Sequence, residues 1–238
     1  MTEQNRIFEP PPHLRGTFPS VDSLIKCLST DFAKPGESEQ LFRAAYVRTN
    51  VVPRRITQAH RFGPPAALIG NDGALPFAWF YTAHAAETAM WEAQFCKNDV
   101  TRPGTYYLEP FAVENGVLAE LRFARPLRLW NLNGSASSRL GIFDELSSPD
   151  HEWSQWFGYQ LFLAMRAPAA ATKPDGFVYP SRRHRGHTAV ALLSDALDEL
   201  RDGIEITEVA FLASPEYARA RHDPLRVSPP LSSSKPSV

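Results

Sequence analysis

The stretch Trp79-Phe80-Tyr81-Thr82-Ala83-His84-Ala85-Ala86-Glu87-Thr88-Ala89-Met90-Trp91-Glu92 changes character half-way along. Its first residues are apolar and aromatic, as in a buried strand. Its second half is built from Ala, Thr, Met and Glu, which suit a helix. The pattern predicts a strand over Phe77 to Tyr81, a switch between Tyr81 and Ala85, and a helix carrying Glu92 two turns in. On that helix Glu92 has Thr88 four positions back and Phe95 three positions on, so its carboxylate lies among largely apolar side chains. An ionised group is expensive there unless it has partners. Either the carboxylate is kept for use, or it points to water at the edge of the helix, and pattern alone favours water.

Upstream of this stretch, Leu41 to Val47 reads as a strand with one arginine, Arg43, among apolar neighbours. A turn-rich segment, the basic pair Arg54-Arg55, and Ala59-His60-Arg61-Phe62-Gly63-Pro64-Pro65 follow it. Ile69-Gly70-Asn71-Asp72-Gly73 is a strong turn signal that delivers the chain to the opening strand. Farther back, residues 1–20 are proline-rich and polar. Val21, Leu24, Ile25 and Leu28 then recur at helical spacing behind a capping Ser20 or Asp22, and Lys34-Pro35-Gly36 breaks the chain. That helix is expected to pack on the domain from outside.

Downstream, Cys96 falls on the proposed helix after Trp91. Gly104 to Leu108, Val117 to Phe123 and Pro126 to Trp130 read as strands, and Asn131 to Ser138 as a polar loop. Trp153 to Met165 fits a buried helix, and residues 167–174 a linker of small residues and proline. Phe177-Val178-Tyr179, Ala189 to Leu193 and Ile204 to Phe211 are further strands. No internal repeat is evident. Short strands with few helices define an α+β domain. The division expected is an extension over 1–40, a main domain over 41–215, and a proline- and serine-rich tail over 216–238 without structure of its own.

Composition narrows the function. The chain has 238 residues, 43% of them hydrophobic, enough for one substantial domain. With 25 basic against 26 acidic residues there is no net field to draw nucleic acid or a membrane surface. No run approaches 18 apolar residues, and no apolar segment follows the polar start, so neither a membrane span nor an export signal is expected. Cys27 and Cys96 form no disulfide framework and read as reduced thiols in a cytoplasmic protein.

No GxGxxG follows a strand, and no Walker lysine or GxSxG elbow is present. His184 and His187 lack a carboxylate or cysteine to complete a metal set, and in a basic loop they read as solvated. Asp144-Glu145 and Glu152 read as capping and solubility residues before a helix. A scattered polar set is left: Arg43, Arg61, Tyr81, Glu92 and Ser181. Arginines supply forked donors for phosphates, and a tyrosine supplies a stacking face and a hydroxyl. A partly buried glutamate can stabilise positive charge developing on a sugar ring during glycosidic cleavage.

The order of these residues resembles that of the RES-domain family, named for its Arg, Glu and Ser. Leu41-Phe42-Arg43 resembles the family's opening aromatic-Arg strand, and Arg48 lies near enough to take that place instead. Arg61-Phe62-Gly63-Pro64-Pro65 resembles its Arg-aromatic loop, although the glycine comes early and the loop to Pro76 is long. Tyr81 to Glu92 keeps the family's eleven-residue spacing, and Asp175 to Arg183 resembles its serine motif. The resemblance covers Leu41 to Phe211.

The resemblance implies an ADP-ribosyltransferase-like fold of the diphtheria-toxin type, with mixed sheets around a cleft. It implies a toxin of a toxin–antitoxin pair that consumes NAD by hydrolysis or phosphorolysis, with phosphate as co-substrate in the latter case and no metal. Transfer of ADP-ribose to a protein and a catalytically inactive binding module are the alternatives. By the same resemblance Arg61, Tyr81 and Glu92 are catalytic, and Arg43 (or Arg48), Arg61, Tyr81 and Ser181 hold NAD. The implied partner is an antitoxin with an Xre-like helix-turn-helix domain. The segments outside the family pattern are candidates for antitoxin docking, a homodimer contact or delivery into another cell.

Overall fold

The computed structural model describes residues 8–33, 40–167 and 173–230. Their strands are β1 (Gln40–Ala45), β2 (Trp79–Ala83), β3 (Cys96–Asn98), β4 (Tyr106–Leu108), β5 (Val117–Phe123), β6 (Leu129–Asn131), β7 (Gly176–Pro180), β8 (Thr188–Leu193) and β9 (Ile204–Ala210). The helices are α1 (Val21–Leu28), α2 (Ala86–Glu92), α3 (Pro110–Asn115), α4 (Ser135–Arg139), α5 (His151–Arg166), α6 (Ser194–Leu200) and α7 (Pro215–His222). Seven strands form one sheet in the order β6-β7-β8-β2-β1-β5-β9, and β3 pairs with β4 beside it. Within the large sheet only β6 and β7 run parallel. The protein is α+β with mixed sheets, as expected.

Continuous apolar runs in β2 and β8 have a direct cause: the centre of the sheet is buried on both faces. Trp79 and Ala83 of β2 join Ala189, Ala191 and Leu193 of β8 in one core. Phe80 joins Val190 and Leu192 in the other. Trp153, Trp156, Phe157 and Leu161 of α5 belong to the first core, whereas Leu197 and Leu200 of α6 belong to the second. The β7–β8 pairing needs Gly176, because a Cβ there would lie 2.1 Å from the Ala191 carbonyl oxygen.

Several expectations are corrected. The helix after β2 ends at Glu92: Gln94 takes φ 61°, Gln94 N–H bonds to Trp91 O, and Phe95 N–H bonds to Met90 O. This is a Schellman stop. Cys96 and Phe95 therefore lie beyond the helix, Cys96 in β3 and buried. The loop expected over Asn131 to Ser138 contains the start of α4.

The N-terminal segment is no appendage. Ser20 caps α1 by accepting from Ser23 N–H, and Leu24 and Leu28 are fully buried in the first core. Residues 31–33 then run along β6, with a bridge between Phe32 and Trp130 and a 2.8 Å bond from Ala33 N–H to Leu129 O. The tail is likewise ordered to residue 230. Ser214 caps α7, and the following residues bond along β4, with Tyr106 N–H to Leu225 O at 3.2 Å and Val227 N–H to Tyr106 O at 2.8 Å. The expected linker at 168–172 and tail at 231–238 lie outside the described residues.

Candidate active site

Glu92 is the last residue of α2, at the end where the helix dipole is negative and opposes a carboxylate. Hydroxyl donors compensate. Ser181 Oγ donates to one carboxylate oxygen at 2.6 Å, and Tyr179 Oη donates to the other at 3.2 Å. Both donors come from one place because Tyr179 and Ser181 are two residues apart on and just beyond β7, and so share a face. Ser181 is buried and fixed in turn: its Oγ accepts from His184 N–H at 2.9 Å, and its N–H bonds to His187 O at 2.8 Å. No ion pair to Glu92 exists among the described residues. Its charge is held by hydroxyl groups rather than neutralised by a cation.

Around this carboxylate the chain gathers positive charge. Arg61 is buried, and its guanidinium donates to the carbonyl oxygens of Leu146 and Ser148 and lies 4.9 Å from the Phe62 ring. Burial holds its pKa down, and Arg182 adds to this. The electron-rich Tyr179, Glu92 and Tyr81 act the other way. Arg183 is lowered by burial and by Arg182, with Glu92 in opposition. His151, at the start of α5, is also lowered, by burial and then by Arg182, Arg61 and Arg183. Arg61, Arg182, Arg183 and His151 therefore share one electrostatic neighbourhood with Glu92, Tyr81 and Tyr179.

Tyr81 closes the site from β2. Its hydroxyl accepts from Phe62 N–H at 2.9 Å, which ties the Arg61 loop to the sheet, and burial pushes its pKa up. The ring meets His60 edge-on at 5.7 Å and Tyr179 edge-on at 6.5 Å. Gly158 of α5 sets the loop from the other side: a Cβ there would lie 1.9 Å from Phe62 O. Helix and loop touch backbone to backbone, a contact only glycine permits.

The structure thus brings Arg61, Tyr81, Glu92 and Ser181 together. Arg43 takes a bracing position instead. From β1 it donates to Tyr81 O and, at 3.0 Å, to Asn50 O, and it lies 4.4 Å above the Phe80 ring. Burial lowers its pKa to about 10. Arg48 is elsewhere, 81% exposed and ion-paired with Glu208 of β9. Ser181 contributes to the site through its hydroxyl, which donates to Glu92 and accepts from His184 N–H.

His184 and His187 are not simply solvated. Their rings stack at 3.9 Å with an interplanar angle of 5°, and His184 Nδ1 lies 2.9 Å from Thr88 Oγ1. Burial and His187 keep His184 below the ordinary histidine pKa, with Glu87 and Glu92 in opposition. Tyr179, Arg182, Arg183 and His151 were missed by sequence reasoning. Tyr179 had a usable signal, its two-residue offset from Ser181 on one strand. No group of His, Cys, Asp and Glu suited to a metal ion occurs among the described residues.

The site is thus a hydroxyl-held glutamate at a helix end of an α+β domain, within the electrostatic reach of Arg61 and Arg183. A family model for the RES domain matches residues 44–213, well over half of the chain, and the chain belongs to the RES-domain family. The family is one of NAD-acting proteins associated with toxin–antitoxin pairs. No curated protein matches the chain. No helix among the described residues is long and apolar enough to cross a membrane.

Proposed function

We propose that this chain is an NAD-consuming toxin that cleaves the bond between nicotinamide and ribose. The observation that supports this most is the Glu92 carboxylate, held by Ser181 and Tyr179 without a direct ion pair and within the electrostatic reach of Arg61 and Arg183. The arginines suit the pyrophosphate of NAD. Tyr81 offers an aromatic wall for the nicotinamide, while Arg43 keeps the Tyr81 strand end in place. The C–N bond breaks with its electron pair passing to nicotinamide, which leaves as a neutral base. The ribosyl cation left behind faces Glu92, whose negative charge gains most when that cation is fully developed. Water adds to the ribose carbon and releases its proton, giving ADP-ribose; phosphate as the nucleophile would give its phosphorylated counterpart.

Hydrolysis or phosphorolysis fits better than transfer to a protein. Two residues before Glu92, where a second carboxylate or amide could guide an acceptor, stands the buried Met90. In the cell the chain would act in the cytoplasm, arresting growth until a helix-turn-helix antitoxin covers the cleft. The test is incubation of purified chain with NAD labelled in its adenine. Nicotinamide release with label in ADP-ribose or its phosphate is expected. Label fixed on protein would identify a transferase, and a folded chain that neither binds nor consumes NAD would identify an inactive binding module.

A further inference from the structure

The two edges of the seven-stranded sheet are finished differently. Residues 31–33 lie along β6, whereas no strand lies beyond β9 among the described residues. The register with β5 shows which backbone groups remain open. Phe211 N–H bonds to Gly116 O and Ala124 N–H to Gly203 O, in line with the β5–β9 ladder. In an antiparallel ladder such bonding pairs alternate, so Glu205, Thr207 and Val209 aim their backbone at β5, while Ile204, Ile206, Glu208 and Ala210 aim theirs outward. Apolar side chains accompany this open row: Ile206 is 46% exposed, Val209 38%, and Leu212 just beyond is 55%. Edges are normally blunted with charged side chains, especially Lys, with Pro or with a bulge; β9 contains neither Lys nor Pro, and its only charges are Glu205 and Glu208.

We propose that β9 pairs antiparallel with β9 of a second copy of this chain, about a two-fold axis at Thr207. The strand's own residue order argues for a self-partner. Around Thr207 the opposed pairs are Ile204 with Ala210, Glu205 with Val209, Ile206 with Glu208, and Thr207 with itself. Every glutamate then meets an aliphatic side chain, and like charges directly opposite, which destabilise a ladder, are avoided. Axes at Glu205 or Glu208 would set glutamate against glutamate, and a one-residue offset would oppose outward groups to inward ones. The Thr207 axis alone uses the full strand, joining the outward residues by about eight backbone hydrogen bonds. Glu208 already has its cation in Arg48, and Glu205, opposite Val209, is exposed, so its charge stays in water at the joint. The product is a continuous sheet through both copies, with an isologous interface. β9 is separated from β2 by β5 and β1, so the joint lies away from the Tyr81 strand in each copy.

Light scattering on the full chain after size exclusion, over a wide range of concentration, should give twice the 26.6 kDa chain mass. Ile206→Glu places a carboxylate opposite the partner's Glu208 and should return the mass to one chain. Ile206→Lys offers that Glu208 a cation and should keep the dimer. Ile206→Pro removes an N–H that the single chain leaves unused, so it should stay folded by circular dichroism and lose the dimer. NAD consumption should be unchanged in Ile206→Glu. A single-chain mass for wild type at every concentration would overturn the proposal. So would a dimer that survives Ile206→Glu, or dissociation by Ile206→Lys as complete as by Ile206→Glu.

Discussion

Strand β7 has a carboxylate near each end, one buried and one half-buried, and the two are treated in opposite ways. At its start, Asp175 is 3% exposed in its side chain and receives Arg125 in a forked pair at 2.7 and 2.8 Å. Arg128 N–H adds a third bond at 2.8 Å. At its end, Glu92 reaches across to Ser181 and Tyr179, two hydroxyl groups and no cation. Asp175 joins the strand to the Arg125–Arg128 segment, its charge spent. Glu92 keeps its charge unspent, at a helix end that opposes it, which costs stability that a structural glutamate would not be worth. Unneutralised charge is what a transient sugar cation can use.

Removing each carboxylate should therefore separate activity from stability. Glu92→Gln keeps size and hydrogen-bonding reach, and should lower NAD turnover by about 10²–10³ or more, the scale of losing one electrostatic stabiliser of a transition state. Its melting temperature should stay near wild type, because the helix end loses an unfavourable charge together with only one of its two hydroxyl bonds, the amide oxygen still accepting the other. Asp175→Asn should do the reverse. Losing a charge-assisted forked pair should destabilise the fold by about 2 kcal/mol, read by chemical denaturation, with turnover per folded molecule retained.

Smaller effects sharpen the contrast. Ser181→Ala leaves Glu92 with one donor and frees its side chain, so turnover should fall by about tenfold, with less change in the apparent affinity for NAD. Gly158→Ala forces a methyl group against Phe62 O and shifts the Arg61 loop. A stability loss of about 1–3 kcal/mol should accompany weaker NAD binding, measured by calorimetry. The least effect concerns pH. His184 is held below its unfolded value, so the unfolded chain binds the extra proton first, and stability falls as pH drops through the ordinary histidine range near 6.5. Melting temperatures on either side of that range should show the fall, and His184→Gln should reduce it.

Much of the fold was legible in residue pattern. Val117–Phe123 alternates because Val117, Ala119, Leu121 and Phe123 face one core while Glu120 and Arg122 pair on the other face, and it is a strand over those same residues. The helix around Trp156 and Phe157 was visible from its apolar face. Helices α3, α6 and α7 were not. Pro110 and Pro215 stand at first helical turns, where a missing N–H costs nothing, and the polar α7 buries no residue that would mark a face. The site was legible where family order marked it, at Arg61, Tyr81, Glu92 and Ser181. Neither Gly158 against Phe62 nor the capture of Arg43 by the Tyr81 and Asn50 carbonyls has a local signature. Both depend on backbone approaches between segments distant in sequence.

The central claim is that the Glu92 charge acts on the breaking bond rather than on the bound dinucleotide. Calorimetric NAD binding to purified Glu92→Gln, set beside its rate of nicotinamide release, tests this most directly. Binding within a few-fold of wild type with release all but abolished is the predicted result. Binding lost in step with turnover, or release at the wild-type rate, would contradict it.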